Sequence, residues 1–142
     1  MSKVIVTHNS PDLDAVSSAW LIKRYLSGWD EAEVVTVPAG TRINTSRATT
    51  DVIEKLVDKE VIHVDTGLGP LDHHQTEDEN TCAAQRTFAY VLEKSPELKK
   101  NGHKVAALKR LVDYVVDDDH FQEVYYPSPA SDVYEFSLVA LL

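Results

Sequence analysis

The fold this sequence predicts is α/β: a doubly wound, mostly parallel sheet with helices on both faces. Short β-branched runs alternate with longer stretches of helical apolar period, and polar or Gly/Pro turns separate them. Such alternation implies parallel βαβ units, whose crossovers place helices against the sheet. The length of 142 residues suits a single domain over 1–142 and leaves little room for two.

Residues 3–7 (KVIVT) form the first predicted strand. A polar loop, 8–14, leads into an apolar-periodic helix over 15–26, with Gly28 where a C-cap belongs. A second strand is predicted over 33–37, ended by Pro38-Ala39-Gly40. Thr49 or Thr50 would cap a short helix, because Val52, Ile53, Leu56 and Val57 fall on one helical face. The third strand covers 60–64, with Asp65 immediately after it and a Gly-rich turn from Thr66 to Pro70. A polar stretch, 75–81, precedes a helix over 82–92. A Lys-rich connector, 95–102, leads to a long helix over 104–116 that runs into Asp117-Asp118-Asp119-His120. After Tyr125-Tyr126-Pro127, the tail 133–142 is apolar and predicts a further helix.

The net charge of −9 argues against a broad basic surface for long duplex DNA, whose affinity comes from Lys and Arg neutralising phosphates. Any phosphate substrate would need cations brought by a metal. The single cysteine, Cys82, can form neither an internal disulfide nor a zinc knuckle, and suits a reducing compartment. The N-terminus lacks the pattern of a signal peptide and no run approaches a membrane span, so the expected location is cytoplasmic.

Two clusters carry the chemistry: His8, Asp12 and Asp14, and then Asp72-His73-His74, with Asp65 between them. His8 and Asp65 are predicted at carboxyl ends of strands, where open α/β sheets hold their ligands. In an extended loop Asp12 and Asp14 would point the same way, towards one cation, while Leu13 turns into the core. Two carboxylates brought together without a cation repel, and a divalent ion removes that cost. A polar loop also uses such residues as turn formers and caps, so His-x-x-x-Asp-x-Asp alone would be unremarkable. Adjacent histidines in extended backbone point to opposite sides, so His73 and His74 are expected to differ in role, with Asp72 orienting one ring.

The segments Thr7-His8-Asn9-Ser10-Pro11-Asp12-Leu13-Asp14-Ala15, Val64-Asp65-Thr66-Gly67 and Asp72-His73-His74 occur in this order. In them the chain resembles the DHH phosphoesterase superfamily, which includes RecJ-like exonucleases, oligonucleotide phosphodiesterases and manganese-dependent pyrophosphatases. Asp72-His73-His74-Gln75 also looks like the Myg1-like branch of exonuclease-like proteins. The resemblance implies two divalent cations, Mn²⁺ first and Mg²⁺ second. His8 and Asp12 would hold one, Asp14 and His73 the other, and Asp65 would bridge them. His74 would contact the scissile phosphate or its leaving side. A fourth-motif carboxylate is implied among Asp113, Asp117, Asp118 and Asp119. Asp119 is favoured because it follows Val112 and Val116 on an inward face.

The residues themselves agree with such a metal, since carboxylates with one or two imidazoles suit Mn²⁺ or Mg²⁺. Arg42 and Arg47, in the loop after the second strand, are candidates to grip phosphate, although taken singly each fits a solvated loop arginine better. The expected function is therefore a metal-dependent phosphoesterase, a nuclease-like hydrolase acting on phosphodiester or phosphoanhydride bonds of small nucleotides or short oligonucleotides. Two-metal activation of water would drive it. The alternatives are an inorganic pyrophosphatase and a catalytically weak nucleotide-binding or regulatory module. A haloacid-dehalogenase site fits less well, because its Asp-x-Asp should directly follow the first strand. Members of the superfamily carry a second, substrate-binding domain that is not evident here, and the apolar tail could support a homodimer or a partner domain.

Overall fold

The computed structural model describes residues 1–43 and 50–122. Arg47, Thr49, Tyr125, Tyr126 and the tail 133–142 lie outside the described residues.

The strands are β1 (Ser2–His8), β2 (Glu33–Val37), β3 (Glu54–Lys55) and β4 (Lys59–His63). The helices are α1 (Leu13–Tyr25), α2 (Ala83–Lys94), α3 (Pro96–Lys100) and α4 (Gly102–Asp119). The sheet runs β2-β1-β4-β3, with β1 parallel to both β2 and β4 and β3 antiparallel to β4. The chain is thus α/β with a mostly parallel sheet. Its central strand reads as four consecutive buried residues, Val4 to Thr7, because both faces of a parallel sheet are covered.

Side-chain alternation divides the core between those faces. Ile5 and Ile62 pack with Leu21 and Ile22 of α1, Val91 of α2 and Val112 of α4. Val4, Val6 and Val61 face the other way, onto Val37, Ile43 and Leu56, so the cover described there comes from the connection between β2 and β4. Each fully buried aliphatic side chain contributes about 1.5–3 kcal/mol.

The helix starts follow local chemistry. Asp12 accepts from the Ala15 amide at 3.0 Å and so begins α1. Asn101 caps α4 by accepting from Lys104, while Ser95 caps α3 with Pro96 in its first turn.

Three local expectations need correction. The helix expected around 52–57 is absent: Glu54 and Lys55 pair with Val61 and Glu60 across a tight hairpin, and Val57 is wholly exposed at its tip. Helix α1 closes at Leu26 rather than Gly28, which takes a φ of 74° in the following turn. The Lys-rich connector contains the short helix α3.

Candidate metal centre

The sheet topology assembles the site along one edge. His8 is the last residue of β1, and Asp65 lies just beyond β4, its parallel neighbour. Beyond β4 the backbone enters the left-handed region at Asp65 (φ 52°), Gly67 (φ 81°) and Leu68 (φ 56°). Asp65 donates its amide to Leu71 O at 3.0 Å, and Leu68 donates to Asp72 Oδ2 at 2.7 Å. This turn folds Asp72, His73 and His74 back beside Asp65.

Asp65 is the common point. Its Oδ2 lies 3.0 Å from His8 Nε2, while its Oδ1 lies 3.5 Å from His73 Nε2 and 3.7 Å from His74 Nδ1. His73 Nε2 is also 3.5 Å from Asp14 Oδ2 and 3.4 Å from Asp119 Oδ2. At such lengths these are Coulombic contacts rather than good hydrogen bonds. Asp65 Oδ1 and His73 Nε2 are accordingly buried without a hydrogen-bond partner. Among the described residues, three groups have donor atoms close enough to hold a metal ion: His8-Asp12-Asp65, Asp65-His73-His74 and His73-Asp119-His120.

Asp12 and Asp14 divide between two neighbours instead of facing one point. The reason is that helix α1 begins between them, so the extended-loop geometry ends at Asp12. Asp12 stands 3.7 Å from His8, whereas the buried Asp14 turns towards His73. Asp14 also accepts from the amides of Ala83 (2.8 Å) and Ala84 (2.6 Å), and so caps α2 from another part of the chain. His73 and His74 do not diverge either. Their rings are 4.5 Å apart, because the backbone turns at His74. Asp72 does orient a ring: its Oδ1 lies 2.6 Å from His74 Nδ1, and the His74 side chain remains 57% exposed.

The charges report a crowded acidic pocket. Burial, reinforced by the Asp65 charge, pushes Asp14 up to about 6 despite the helix amides that favour its anion. Burial also raises Asp119, against the opposing influence of His73. His73 is raised by Asp65 beside it, with burial opposing and Asp119 and Asp14 adding to the rise. For His8, burial lowers the value, but the Asn9 carbonyl, Asp65 and Asp12 outweigh it and leave it raised. Asp72 moves the other way: burial opposes ionisation, yet the bonds from His74 and Leu68 hold it below the usual carboxylate range.

Among the four acidic candidates near the end of α4, Asp119 is placed beside His73, whereas Asp113 pairs with Lys109 on the exposed side. Arg42 is not presented to a substrate. Its side chain is 4% exposed and is bound to Glu54 and to Gly67 O. Besides His103, which is exposed at the start of α4, two histidines had no role assigned from sequence. His120 stands 3.7 Å from Asp119 and bonds Thr81 O at 2.8 Å, which its place next to Asp119 could have signalled. His63 is buried beside Glu54, and only its position two residues before Asp65 hinted at involvement.

The donor set, four carboxylates and up to four imidazoles without a thiolate, can chelate a hard or borderline divalent cation. Such an ion would satisfy both orphaned atoms and relieve the carboxylate repulsion. Among the described residues no helix is long and apolar enough to cross a membrane. No protein-family model, curated protein or solved structure matches this chain.

Proposed function

We propose that this chain is a metal-dependent phosphoesterase that hydrolyses phosphodiester or phosphoanhydride bonds of small nucleotidic substrates with two divalent cations, preferably Mn²⁺, around Asp65. The observation that carries the reading is the pair of buried, unpartnered atoms, Asp65 Oδ1 and His73 Nε2, 3.5 Å apart where the candidate groups overlap. The substrate class rests on the resemblance to DHH phosphoesterases.

The protein's own groups divide the work. Asp65 turns one oxygen to His8 and the other to His73 and His74, so a single carboxylate can serve both sides of the centre. Asp14 and Asp119 supply negative charge from two helices and hold His73 between them. Asp72 fixes His74 through Nδ1, which leaves Nε2 to hold or deliver a proton at the leaving oxygen. When bound, two cations polarise a phosphoryl oxygen and lower the pKa of water to near neutrality.

The exposed His74 ring favours a second reading, a nucleotide-binding module with weak turnover, because an open site excludes water poorly. Both readings meet in one assay. The purified protein with Mn²⁺ is offered pyrophosphate, dinucleotides, cyclic dinucleotides and short RNA or DNA, with Asp65→Asn as control because Asn tolerates the left-handed backbone at that position. Turnover on at least one nucleotidic substrate, lost in Asp65→Asn, is expected. Turnover of pyrophosphate alone would make the chain a pyrophosphatase, and binding without turnover would favour the module. Failure to bind any divalent cation refutes the proposal.

A further inference from the structure

Resting on that metal reading, we infer that Arg42 is a positioning residue that holds the Asp65 turn, and with it the shared carboxylate, from beneath the site. Arg42 lies in the connection after β2, remote in sequence from the residues it supports. Its Nη1 donates to Gly67 O at 2.7 Å, and its Nη2 pairs with Glu54. Thr66 Oγ1 adds a second tie by donating to Thr41 O at 3.1 Å.

The group is built in detail. The Ile43 amide donates to His63 Nε2 at 3.2 Å, so that nitrogen accepts and the proton of a neutral ring sits on Nδ1. Nδ1 then donates to Glu54 Oε1 at 3.0 Å. Glu54 therefore receives both Arg42 and His63, and all three side chains are at most 9% exposed. Desolvating such ions costs several kcal/mol each, so the pair is a poor device for stability alone.

What the guanidinium adds is geometry. A left-handed conformation at a non-glycine residue costs about 1–3 kcal/mol and persists only where its surroundings over-determine it. Asp65 and Leu68 both adopt it. Arg42 packs so closely under the turn that a Cβ on Gly67 would lie 2.6 Å from Arg42 Cγ. The planar fork of arginine reaches Glu54 and Gly67 O together, whereas lysine offers a point charge that keeps only the ion pair.

The test compares the wild-type protein with Arg42→Lys. Without metal, amide exchange is followed by NMR at Asp65 and Leu68, whose N–H bonds define the turn, and at β1 as reference. Mn²⁺ affinity is measured on the same samples. Arg42→Lys is expected to speed exchange at Asp65 and Leu68 by about tenfold, leave β1 unchanged, and weaken Mn²⁺ binding about tenfold or more, as loss of an orienting group does. Should Arg42→Lys fail to fold, Glu54→Gln, which removes the anion that anchors the guanidinium, is expected to give the same pattern. Unchanged exchange, faster exchange throughout the protein, or faster local exchange with unchanged Mn²⁺ affinity overturns the inference and leaves the metal reading intact. A wild-type protein that binds no Mn²⁺ overturns both.

Discussion

Raising the pH of the metal-free protein should destabilise it, opposite to the behaviour expected of a carboxylate held by a salt bridge. Asp14 ionises at about 6 in the folded chain against an ordinary 3.8. Between those values the folded state binds the proton and the unfolded state has lost it. Stability is therefore fully present below 3.8 and is lost as pH rises through about 6. The difference corresponds to about 3 kcal/mol, or roughly 10 °C in Tm for a chain of this size. His8 and His73, both raised above 6.5, extend the decline with the same sign, since their stabilisation is present below 6.5 and lost through their higher folded values. The assay is urea unfolding with a chelator at a series of pH values. Asp14→Asn should flatten the profile through the first window. Stability that is constant or rising there in the wild-type protein, or an unchanged slope in Asp14→Asn, would refute the electrostatic account. Saturating Mn²⁺ should reverse the slope, because metal binding displaces the same protons.

Asp12→Ala should cost about 1 kcal/mol through loss of the α1 cap and also weaken Mn²⁺ binding, both readable in one thermal-shift titration. An Asp12→Asn variant that keeps the cap should lose only the metal effect. His120→Ala leaves Thr81 O without its side-chain donor and should lower stability by about 1 kcal/mol while weakening Mn²⁺ binding through Asp119. Unchanged unfolding and affinity would show that the contact between α4 and the start of α2 carries nothing. Cys82, fully buried and raised well above the ordinary thiol range by burial and by Asp14, should resist alkylation in the folded protein and react only on unfolding. Mass spectrometry after a brief iodoacetamide pulse decides this.

The parallel core was legible because β1 and β2 are β-branched runs closed by strong turn signals, and α1 and α4 keep their apolar period. The expected helix at 52–57 was not, because Val52, Ile53, Leu56 and Val57 fit a helical stripe as well as a hairpin. Tertiary contacts decided between them: Glu54 pairs with β4 and is drawn to Arg42 and His63. The His73-His74 pair obeys the backbone turn at His74 rather than the extended alternation assumed from sequence. Arg42 shows the same limit. Its loop was visible, but whether its charge met a substrate or Glu54 depended on contacts between residues remote in sequence. The choice of Asp119 rested on helical phase, a local property, and the structure puts that carboxylate 3.4 Å from His73.

The left-handed backbone at Asp65 narrows the substitutions this site can accept during divergence. Glycine, asparagine and aspartate enter that conformation most readily, and of the three only aspartate brings an anionic carboxylate. Glutamate would keep the charge but pay the conformational cost and overreach His8 and His73 by a methylene. If Asp65 is the shared metal ligand proposed above, backbone geometry and ligand chemistry select the same residue independently, and a descendant that lost it could not restore the centre by a conservative acidic replacement alone. It would have to rebuild the turn.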